Sequence, residues 1–476
     1  MNRSKRIILL LCVLVLISAA TFAMTRYEDH KEQIQVGGQA ILEIPAEDVN
    51  TLSWSYEDES LSFHRDQDGV WRWDEDDAFP VDEDHVNDLL GWFSSLNAAF
   101  VIEDVEDYSQ YGLTEPECTI SFATETDSYT VSLGAFSQMD SQRYLSLDDG
   151  NAYLIAQDPM EDFQLTIRDM IQNDEAPALS DVIDMTFAGK ESYSLRYEEE
   201  SSKSYSSDDV YFTGKKPLDT QRVESYLGNL EDLSLTDYAT YNATEEELSS
   251  FGLDDPELTV TVNYRQQDED NTDEVFILHV SRDPEAVQEA EAAEESETGE
   301  EETEISCYLR FGDSPIIYNI SQDLYDTLTK VSFNDLRHQE MFWGDFEDIA
   351  SIDVTLDGSS YSLTTTKDEE ETEKDSDEIL WYYNGQEVET DDLRSALINL
   401  PAEDFTDDKP TGKEEISLTL HLKDENFPTV KLQLYRQDGS NCLAVVDGTP
   451  TALVKRVYMV DLMEAVNAIV LNPTAE

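Results

Sequence analysis

The sequence YGLTEPE at residues 111–117 runs directly into CTISF at 118–122, and FGLDDPE at 251–257 runs into LTVTV at 258–262. The two copies lie 140 residues apart (251 minus 111). A glycine can adopt backbone angles closed to other residues, and a proline pre-sets the turn before a strand. We therefore interpret the motif as an architectural turn that leads into a half-buried strand. Its residues are Tyr111, Gly112, Leu113, Pro116, Phe251, Gly252, Leu253 and Pro256.

A reduced third copy occurs towards the C-terminus. TGKEE at 411–415 precedes ISLTL at 416–420, in which apolar and polar residues again alternate. Gly412 remains, while the aromatic residue, the leucine and the proline of the other copies are missing. The recurrence predicts a chain built from three similar units.

A helical pattern lies upstream of each copy. Apolar residues recur at intervals of three and four, which predicts one apolar helix face. Asp82, Asp219 and either Thr390 or Glu389 stand where a helix N-cap is expected, and an aromatic strand precedes each helix at 70–73, 210–212 and 380–383. The apolar residues are Val86, Leu89, Leu90, Phe93 and Leu96; Val223, Tyr226, Leu227, Leu230 and Leu233; and Leu393, Ala396, Leu397 and Leu400.

More strands and a closing helix are predicted after each glycine turn. The closing helices fall near 159–171, 322–331 and 458–470. The order of strands, helix, strands and helix favours an α+β fold in which antiparallel sheets carry helices on one face. We predict three tandem repeat units, at residues 46–178, 179–340 and 341–472.

Acidic insertions distinguish the units. Residues 285–304 in the second unit and 367–378 in the third contain almost no large apolar side chain, and residues 198–209 are rich in serine and acidic residues. Such segments bury too little apolar surface to offset the entropy lost on ordering. We predict that all three are disordered extensions of hairpins.

The N-terminus has the pattern of a membrane anchor. Three basic residues precede an uncharged apolar run of 18 residues, just long enough to cross a bilayer. Cleavage as a signal peptide is the alternative, since small residues lie near the end of the run. Either reading places the remainder outside the cytoplasm. The predicted segments are a cytoplasmic tail at 1–6, a transmembrane anchor or signal at 7–24 and a tether at 25–45.

The composition bounds the function. The formal net charge of −76 argues against nucleic acid or an anionic membrane surface as an electrostatic partner. Cys118, Cys307 and Cys442 are spread one to a unit with no CxxC pair, so that they do not predict a disulfide framework. Each fits a small apolar position on a strand, although one pair could form a bridge.

No residue pattern predicts catalysis, a cofactor or a metal. The six histidines form no HExxH or close pair, and no GxSxG, SxxK or P-loop occurs. Asp66, Asp68 and Gly69 resemble the start of a calcium loop, but a hairpin turn explains them better because the distal ligands are missing. Trp54, Trp71 and Trp73 fit either a ligand groove or the core beneath the first helix.

The anchor and the repeated Tyr/Phe-Gly-Leu-x-x-Pro units resemble the bacterial family known as domain of unknown function 4340. Its members look like single-pass extracytoplasmic proteins associated with ABC transporters of the gliding-motility type. The resemblance extends from about Val49 to Asn472 and is clearest at 111–117 and 251–257. It implies a fold and an association, but no catalytic residues.

Two classes of function follow from these observations. The first is a non-catalytic accessory or scaffold protein at the cell membrane, anchored by its N-terminal helix and partnered by the permease of an ABC transporter. The alternative is a wall-associated hydrolase or a surface protein that binds carbohydrate or cations. The absence of a nucleophile, metal or cofactor motif from the sequence favours the first class.

Overall fold

The computed structural model describes residues 38–138, 141–266, 271–295, 305–366 and 379–471. Within them the chain forms three antiparallel sheets of nine strands each, with helices between the strands, which is an α+β fold. The predicted anchor at 7–24 lies outside the described residues. No helix among those described has the length and apolar character needed to cross a membrane.

Some consecutive strands are joined by short hairpins and others by longer connections. In the first sheet they are β1 (Gln39–Leu42), β2 (Val49–Tyr56), β3 (Glu59–Arg65), β4 (Trp71–Trp73), β5 (Leu96–Ile102), β6 (Cys118–Thr124), β7 (Ser128–Ser137), β8 (Gln142–Ser146) and β9 (Ala152–Ile155). In the second they are β10 (Val182–Gly189), β11 (Tyr193–Tyr197), β12 (Tyr211–Thr213), β13 (Lys216–Pro217), β14 (Tyr238–Thr240), β15 (Leu258–Arg265), β16 (Asp273–Arg282), β17 (Cys307–Phe311) and β18 (Ile317–Ile320). In the third they are β19 (Ile349–Leu356), β20 (Ser359–Thr366), β21 (Leu380–Tyr383), β22 (Gln386–Val388), β23 (Asp404–Phe405), β24 (Glu414–Leu422), β25 (Thr429–Arg436), β26 (Asn441–Val446) and β27 (Thr449–Lys455).

The three sheets share one topology. Their strand orders are β4-β3-β2-β6-β7-β8-β9-β5-β1, β13-β12-β11-β10-β15-β16-β17-β18-β14 and β22-β21-β20-β19-β24-β25-β26-β27-β23. The strand that follows each glycine turn (β6, β15 and β24) occupies the same place, beside the first long strand of its sheet (β2, β10 and β19). The sequence repeat is therefore a repeat of one sheet design, with a closing hairpin strand in the second and third sheets and β1 added at the other edge of the first.

The first long strand of each sheet carries the same irregularity. Its register against the strand after the glycine turn shifts between Val49 and Thr51, between Val182 and Asp184, and between Ile349 and Ser351. A bulge bends a strand and increases its twist. The matched bulges give the three sheets the same local shape as well as the same strand order.

Eight α-helices accompany the sheets among the described residues: α1 (Glu83–Ser94), α2 (Thr220–Glu231), α3 (Glu245–Ser250), α4 (Pro284–Glu295), α5 (Gln322–Thr329), α6 (Phe333–Leu336), α7 (Asp391–Ile398) and α8 (Arg456–Leu471). The predicted caps Asp82 and Asp219 accept hydrogen bonds from the first turns of α1 and α2. Thr390 precedes α7 without a side-chain cap bond. The apolar residues Leu96, Leu233 and Leu400 lie beyond the ends of their helices.

The closing helix predicted at 159–171 is wrong. The segment forms two short 3-10 turns, Met160–Phe163 and Ile167–Met170. Thr166 and Asp169 make a capping box, in which the Thr166 amide donates to Asp169 Oδ2 at 2.8 Å. A capping box starts a new helical turn, so the chain ends the first turn at Phe163 and does not continue through.

The prediction of disorder is wrong for residues 198–209 and for the part of the insertion at 285–304 that the structure describes. Residues 198–209 form an ordered loop that buries Ser204 and Asp209. In the insertion at 285–304, residues up to Glu295 belong to α4, because Pro284 suits the first helical position and Asp283 Oδ1 accepts from the amides of Glu285 and Ala286 at 2.9 and 3.1 Å. Residues 296–304 and the insertion at 367–378 lie outside the described residues.

The tryptophans of the first sheet were expected to line a ligand groove or to lie in the core, and their burial distinguishes the two. Trp54 and Trp71 are buried, and the Trp54 ring stacks on Phe63 with centroids 5.6 Å apart. Trp73 is half-buried and packs edge-on against Phe79. These rings are core residues and do not line a groove. Cys118, Cys307 and Cys442 are likewise buried, and all three are free thiols.

The chain divides into two compact units. The first comprises residues up to Asp174 together with Thr236–Asn242, and the second comprises Glu175–Leu235 together with residues from Ala243 onward. Within the first unit, Tyr241 donates a hydrogen bond to Asp76 Oδ2 at 2.7 Å and packs its ring on Phe79 at 5.0 Å. A late segment of the chain thus completes the packing of the first unit.

Candidate functional site

Gly112 and Gly252 each end a short helical segment, and the chain then continues into β6 or β15. Gly112 and Gly252 have φ angles of +67° and +68°. The amides of the following residues, Leu113 and Leu253, donate to Tyr108 O at 3.1 Å and to Leu248 O at 2.8 Å. A left-handed residue with a bond of this kind is a common helix stop. The motif therefore ends a helical turn and starts a strand, first in one sheet and again in the next.

The backbone approaches both glycines closely. A Cβ atom on Gly112 would lie 2.8 Å from the amide nitrogen of Ala135, and one on Gly252 would lie 2.7 Å from Ser281 Oγ and 2.9 Å from Arg282 O. At Gly412 a Cβ would meet the carbonyl oxygen of Arg436, although this glycine is not among those with positive φ. The reduced third copy keeps the close approach without the left-handed turn.

The other motif residues serve the same architecture. Tyr111 packs on Tyr144 at 4.9 Å, and Phe251 packs on Tyr308 at 4.6 Å. Leu113 and Leu253 are buried. The prolines stand in the turn that leads into β6 and β15. Each copy of the motif acts within its own sheet, and the geometry gives these residues a structural role.

A cleft lies between the second and third sheets, within the second compact unit. Its volume is about 790 Å³. Residues 216–217, on β13, and the connection at 333–343 line one side. Residues 405–407 and 446–451, from the third sheet, line the other. This cleft gathers aromatic, basic and acidic side chains, so it is the candidate functional site.

An arginine lies between two aromatic rings in this cleft. The Arg337 guanidinium carbon is 4.2 Å from the centre of the Phe405 ring and 5.2 Å from that of Phe333, and Lys216 Nζ lies 4.9 Å from the Phe333 ring. Burial lowers the pKa of Arg337, against the attraction of Asp407. Among the residues that the structure describes, no carboxylate lies within 4.0 Å of either basic group.

A buried carboxylate fixes the histidine beside this arginine. Asp209 Oδ1 lies 2.8 Å from His338 Nε2, and Asp209 Oδ2 accepts from Trp343 Nε1 at 3.1 Å and from Ser204 Oγ. Asp209 is only 4% exposed. The His338 ring is stacked on Trp343, with centroids 4.7 Å apart and planes 7° from parallel. Two independent contacts thus hold the imidazole in one orientation.

Tyr205 extends the same stack from the other side. Its ring lies 4.8 Å from that of Trp343 and 5.5 Å from that of Phe342. Burial raises the pKa of the Tyr205 hydroxyl well above its ordinary value, and the charge of Asp209 acts in the same direction. The loop at 198–209 is therefore ordered by aromatic packing, which its acidic and serine-rich composition does not suggest.

Two further carboxylates approach the free edge of His338. Asp219 Oδ2 lies 3.9 Å from His338 Nδ1, and ligand atoms of Asp219, His338 and Glu340 all lie within 4.8 Å of one another. Asp219 Oδ1 accepts from the amide of Gln221 at 3.0 Å. Its helix-capping role thus engages Oδ1, while Oδ2 lies 3.4 Å from Arg222 Nε and 3.9 Å from His338 Nδ1.

Comparison with known families identifies the chain. The model of the family described as Domain of unknown function (DUF4340) matches residues 71–239 and 213–419. The chain belongs to the DUF4340 family. The two DUF4340 matches begin 142 residues apart (213 minus 71), close to the 140 that separate the glycine motifs, and both begin at the third hairpin strand of a sheet. No curated protein and no solved structure matched the chain.

Most of the cleft falls within the second DUF4340 match. Residues 213–419 include Asp219, Arg337, His338 and Phe405, whereas residues 446–451 lie beyond it. Sequence reasoning missed these side chains because Asp209 and His338 are 129 residues apart and satisfy no spacing rule. One signal was present: the apolar run MFW at 341–343 lies where the repeat pattern leaves only a connection between units.

Proposed function

We propose that this protein is a non-catalytic, extracytoplasmic accessory protein of an ABC transporter, held at the membrane by residues 7–24. We propose that the cleft between the second and third sheets docks on an extracytoplasmic loop of the permease. The family resemblance suggests the transporter, and the arrangement of Arg337 suggests the docking surface. In this proposal the repeated sheets, each with helices on one face, serve as a spacer between anchor and cleft.

The stacked arginine is the observation that carries the proposal. The chain has 106 acidic and 30 basic residues, so most of its basic groups have carboxylates to bind. The rings of Phe333 and Phe405 both contact the Arg337 guanidinium, whose carbon lies 5.2 and 4.2 Å from their centres. A preorganised guanidinium loses little entropy when it binds a carboxylate through two hydrogen bonds. Arginine and aromatic residues also dominate the binding energy of protein interfaces.

The occupant follows from this chemistry. We propose a permease loop that carries an aspartate or glutamate side chain for Arg337 and an apolar residue beside it for Phe405. The net charge of −76 disfavours anionic lipid at this surface. Attachment of the anchor can be checked separately by N-terminal sequencing of the mature protein, where a start at Thr21 or Met24 would show that it is cleaved.

Site-directed photo-crosslinking in intact cells tests the docking surface. A photo-reactive phenylalanine analogue is placed at Thr406, on the cleft wall, and in a matched control at Ser360, an exposed residue near the start of β20. We expect mass spectrometry to identify the permease in the product captured from Thr406 and not in that from Ser360. Equal capture from both positions would contradict docking through the cleft.

Transport activity provides the second readout. Arg337→Ala is compared with Arg394→Ala, which removes an exposed arginine paired with Glu347 at 2.9 Å. We expect loss of transport in the first variant at unchanged protein abundance, and normal transport in the second. Normal transport in the Arg337 variant would sink the proposal, and a hydrolytic activity of the purified protein would favour a wall hydrolase instead.

A further inference from the structure

We propose that His338, Asp219 and Glu340 form a site for a divalent transition-metal ion of the Zn²⁺ type, with Asp209 as the residue that positions His338. The site lies at the edge of the cleft but does not depend on the docking role. It requires only the side chains of the second compact unit, and its test involves no transporter.

The first step fixes which histidine nitrogen is free. Asp209 is buried and lies 2.8 Å from His338 Nε2, so this nitrogen must carry the proton that it donates to the carboxylate. The bond from Trp343 Nε1 and the stacking of its ring keep both partners in place. In the neutral imidazole the lone pair is therefore on Nδ1, the nitrogen that faces Asp219.

The second step is electrostatic. Nδ1 lies 3.9 Å from Asp219 Oδ2, and ligand atoms of His338, Asp219 and Glu340 lie within 4.8 Å of one another. These groups repel one another unless a positive charge lies among them. Arg222 Nε reaches Asp219 Oδ2 at 3.4 Å, while Lys216 lies over the Phe333 ring. A metal ion would accept all three donor atoms at once.

The third step concerns the kind of ion. Imidazole nitrogen and carboxylate oxygen are both ligand types that Zn²⁺ binds at about 2.0–2.2 Å, and three protein ligands would leave a fourth position open. Tetrahedral coordination at those lengths separates its ligand atoms by roughly 3.3 Å. The 3.9 Å between His338 Nδ1 and Asp219 Oδ2 thus requires a contraction of about half an ångström. A metal-bound histidine usually donates its other nitrogen to a carboxylate, as His338 does to Asp209.

The test is titration of the purified, metal-free full-length protein with ZnCl₂, followed by calorimetry, with Co²⁺ absorption reporting the ligand geometry. We expect one strong site above the weak binding of the acidic surface. Glu340→Gln and Asp219→Asn should each lower the Zn²⁺ affinity at least about tenfold. Asparagine at position 219 can still cap α2, so that Asp219→Asn should leave the helix intact. The Co²⁺ spectrum should change in both.

The positioning role of Asp209 has its own comparison. Asp209→Asn should lower the Zn²⁺ affinity by about 10–100-fold, as expected for loss of a carboxylate behind a metal-bound histidine. Ser204→Ala removes another hydrogen bond to the same carboxylate without touching the imidazole, and should leave the affinity within about threefold of wild type. An equal loss in both variants would mean that Asp209 acts only through the stability of the loop.

A histidine–carboxylate pair elsewhere provides the matched control. His421 Nε2 lies 2.9 Å from Asp353 Oδ2 on the third sheet, so that His421→Gln should leave the strong site intact. Thermal unfolding without metal confirms that each variant is folded. Wild type and Glu340→Gln binding Zn²⁺ with the same affinity would overturn the proposal.

Discussion

Glu257 Oε1 lies 3.0 Å from Arg282 Nη2, directly after the turn that Gly252 begins. The same relationship recurs in the first sheet, where Glu117 Oε2 lies 2.8 Å from Arg143 Nη1. The glutamate follows the motif proline in both sheets, whereas Arg282 ends β16 and Arg143 lies on β8. The glutamate of each turn therefore binds an arginine, although the two arginines lie on different strands of their sheets. This indicates that the turn requires a positive charge opposite the glutamate, whereas the strand that supplies it can differ.

We expect a measurable coupling between Glu257 and Arg282. Their side chains are 33% and 28% exposed, so solvent screens the pair only in part. A double-mutant cycle with Glu257→Gln and Arg282→Met, measured by urea unfolding, should give about 1 kcal/mol. The exposed pair Lys413 and Asp357, 74% and 75% exposed, should give a coupling near zero. Equal couplings would contradict a special role for the motif glutamate.

Gly252→Val should lower the free energy of unfolding by about 1–3 kcal/mol, because valine meets Ser281 and Arg282 and cannot easily adopt a φ of +68°. Gly228→Ala is the matched control. Gly228 lies inside α2 with no atom within 4 Å of an added Cβ, so that alanine should stabilise the protein by about 0.5–1 kcal/mol. A Gly252 variant within a few tenths of wild type would remove the structural argument for the motif.

The three buried thiols should be unreactive in the native protein. Burial raises the pKa of Cys118 to about 12 and that of Cys442 to about 11, and also raises that of Cys307. Since the thiolate is the reactive form, a disulfide reagent at pH 8 should label these residues only after addition of urea. A Cys12→Ser background leaves them as the only thiols. Rapid labelling of the folded protein would contradict their burial.

The raised pKa values of the buried thiols also determine how the stability of the protein depends on pH. A raised folded-state pKa means that the native protein holds the thiol proton more tightly than the unfolded chain does. The contribution of these thiols to stability is therefore complete below about pH 9, the usual value, and declines as the pH rises through 11 and 12. Cys118→Ala should flatten this part of the unfolding profile.

Most of the fold could be predicted from local sequence patterns. The glycine turns, the capped helices and the alternating strands were readable because each depends on residues close in sequence. The closing segment at 159–171 was misread because the Thr166–Asp169 capping box interrupts an otherwise helical pattern. The loop at 198–209 was misread because composition describes the average segment, whereas Tyr205 and Asp209 find partners in residues 338–343.

The candidate site could not be predicted from the sequence, for a different reason. Its acidic members cannot be distinguished among 106 carboxylates. Glu340 is close to His338 in sequence, but Asp209 lies 129 residues from it, and Asp219 is also distant. The connection that follows α6 brings residue 338 to residues 209 and 219, which flank β12 and β13, and the amide of Asp219 donates to Leu336 O at 3.0 Å. Apart from the apolar run at 341–343, contacts between residues with no fixed spacing cannot be recognised in one sequence.

Tyr241 imposes an order of events on the first unit as the chain is made. A ribosome adds roughly 5–20 residues per second, so the stretch of about 70 residues from Ile171 to Tyr241 takes about 4–14 s to emerge. Throughout that interval all nine strands of the first sheet exist while Phe79 lacks the ring that packs on it and Asp76 lacks its hydroxyl donor. Nascent chains in which Ile171 but not Tyr241 has left the ribosome should consequently present an open, protease-sensitive edge, which is closed in chains whose Asn242 has also emerged.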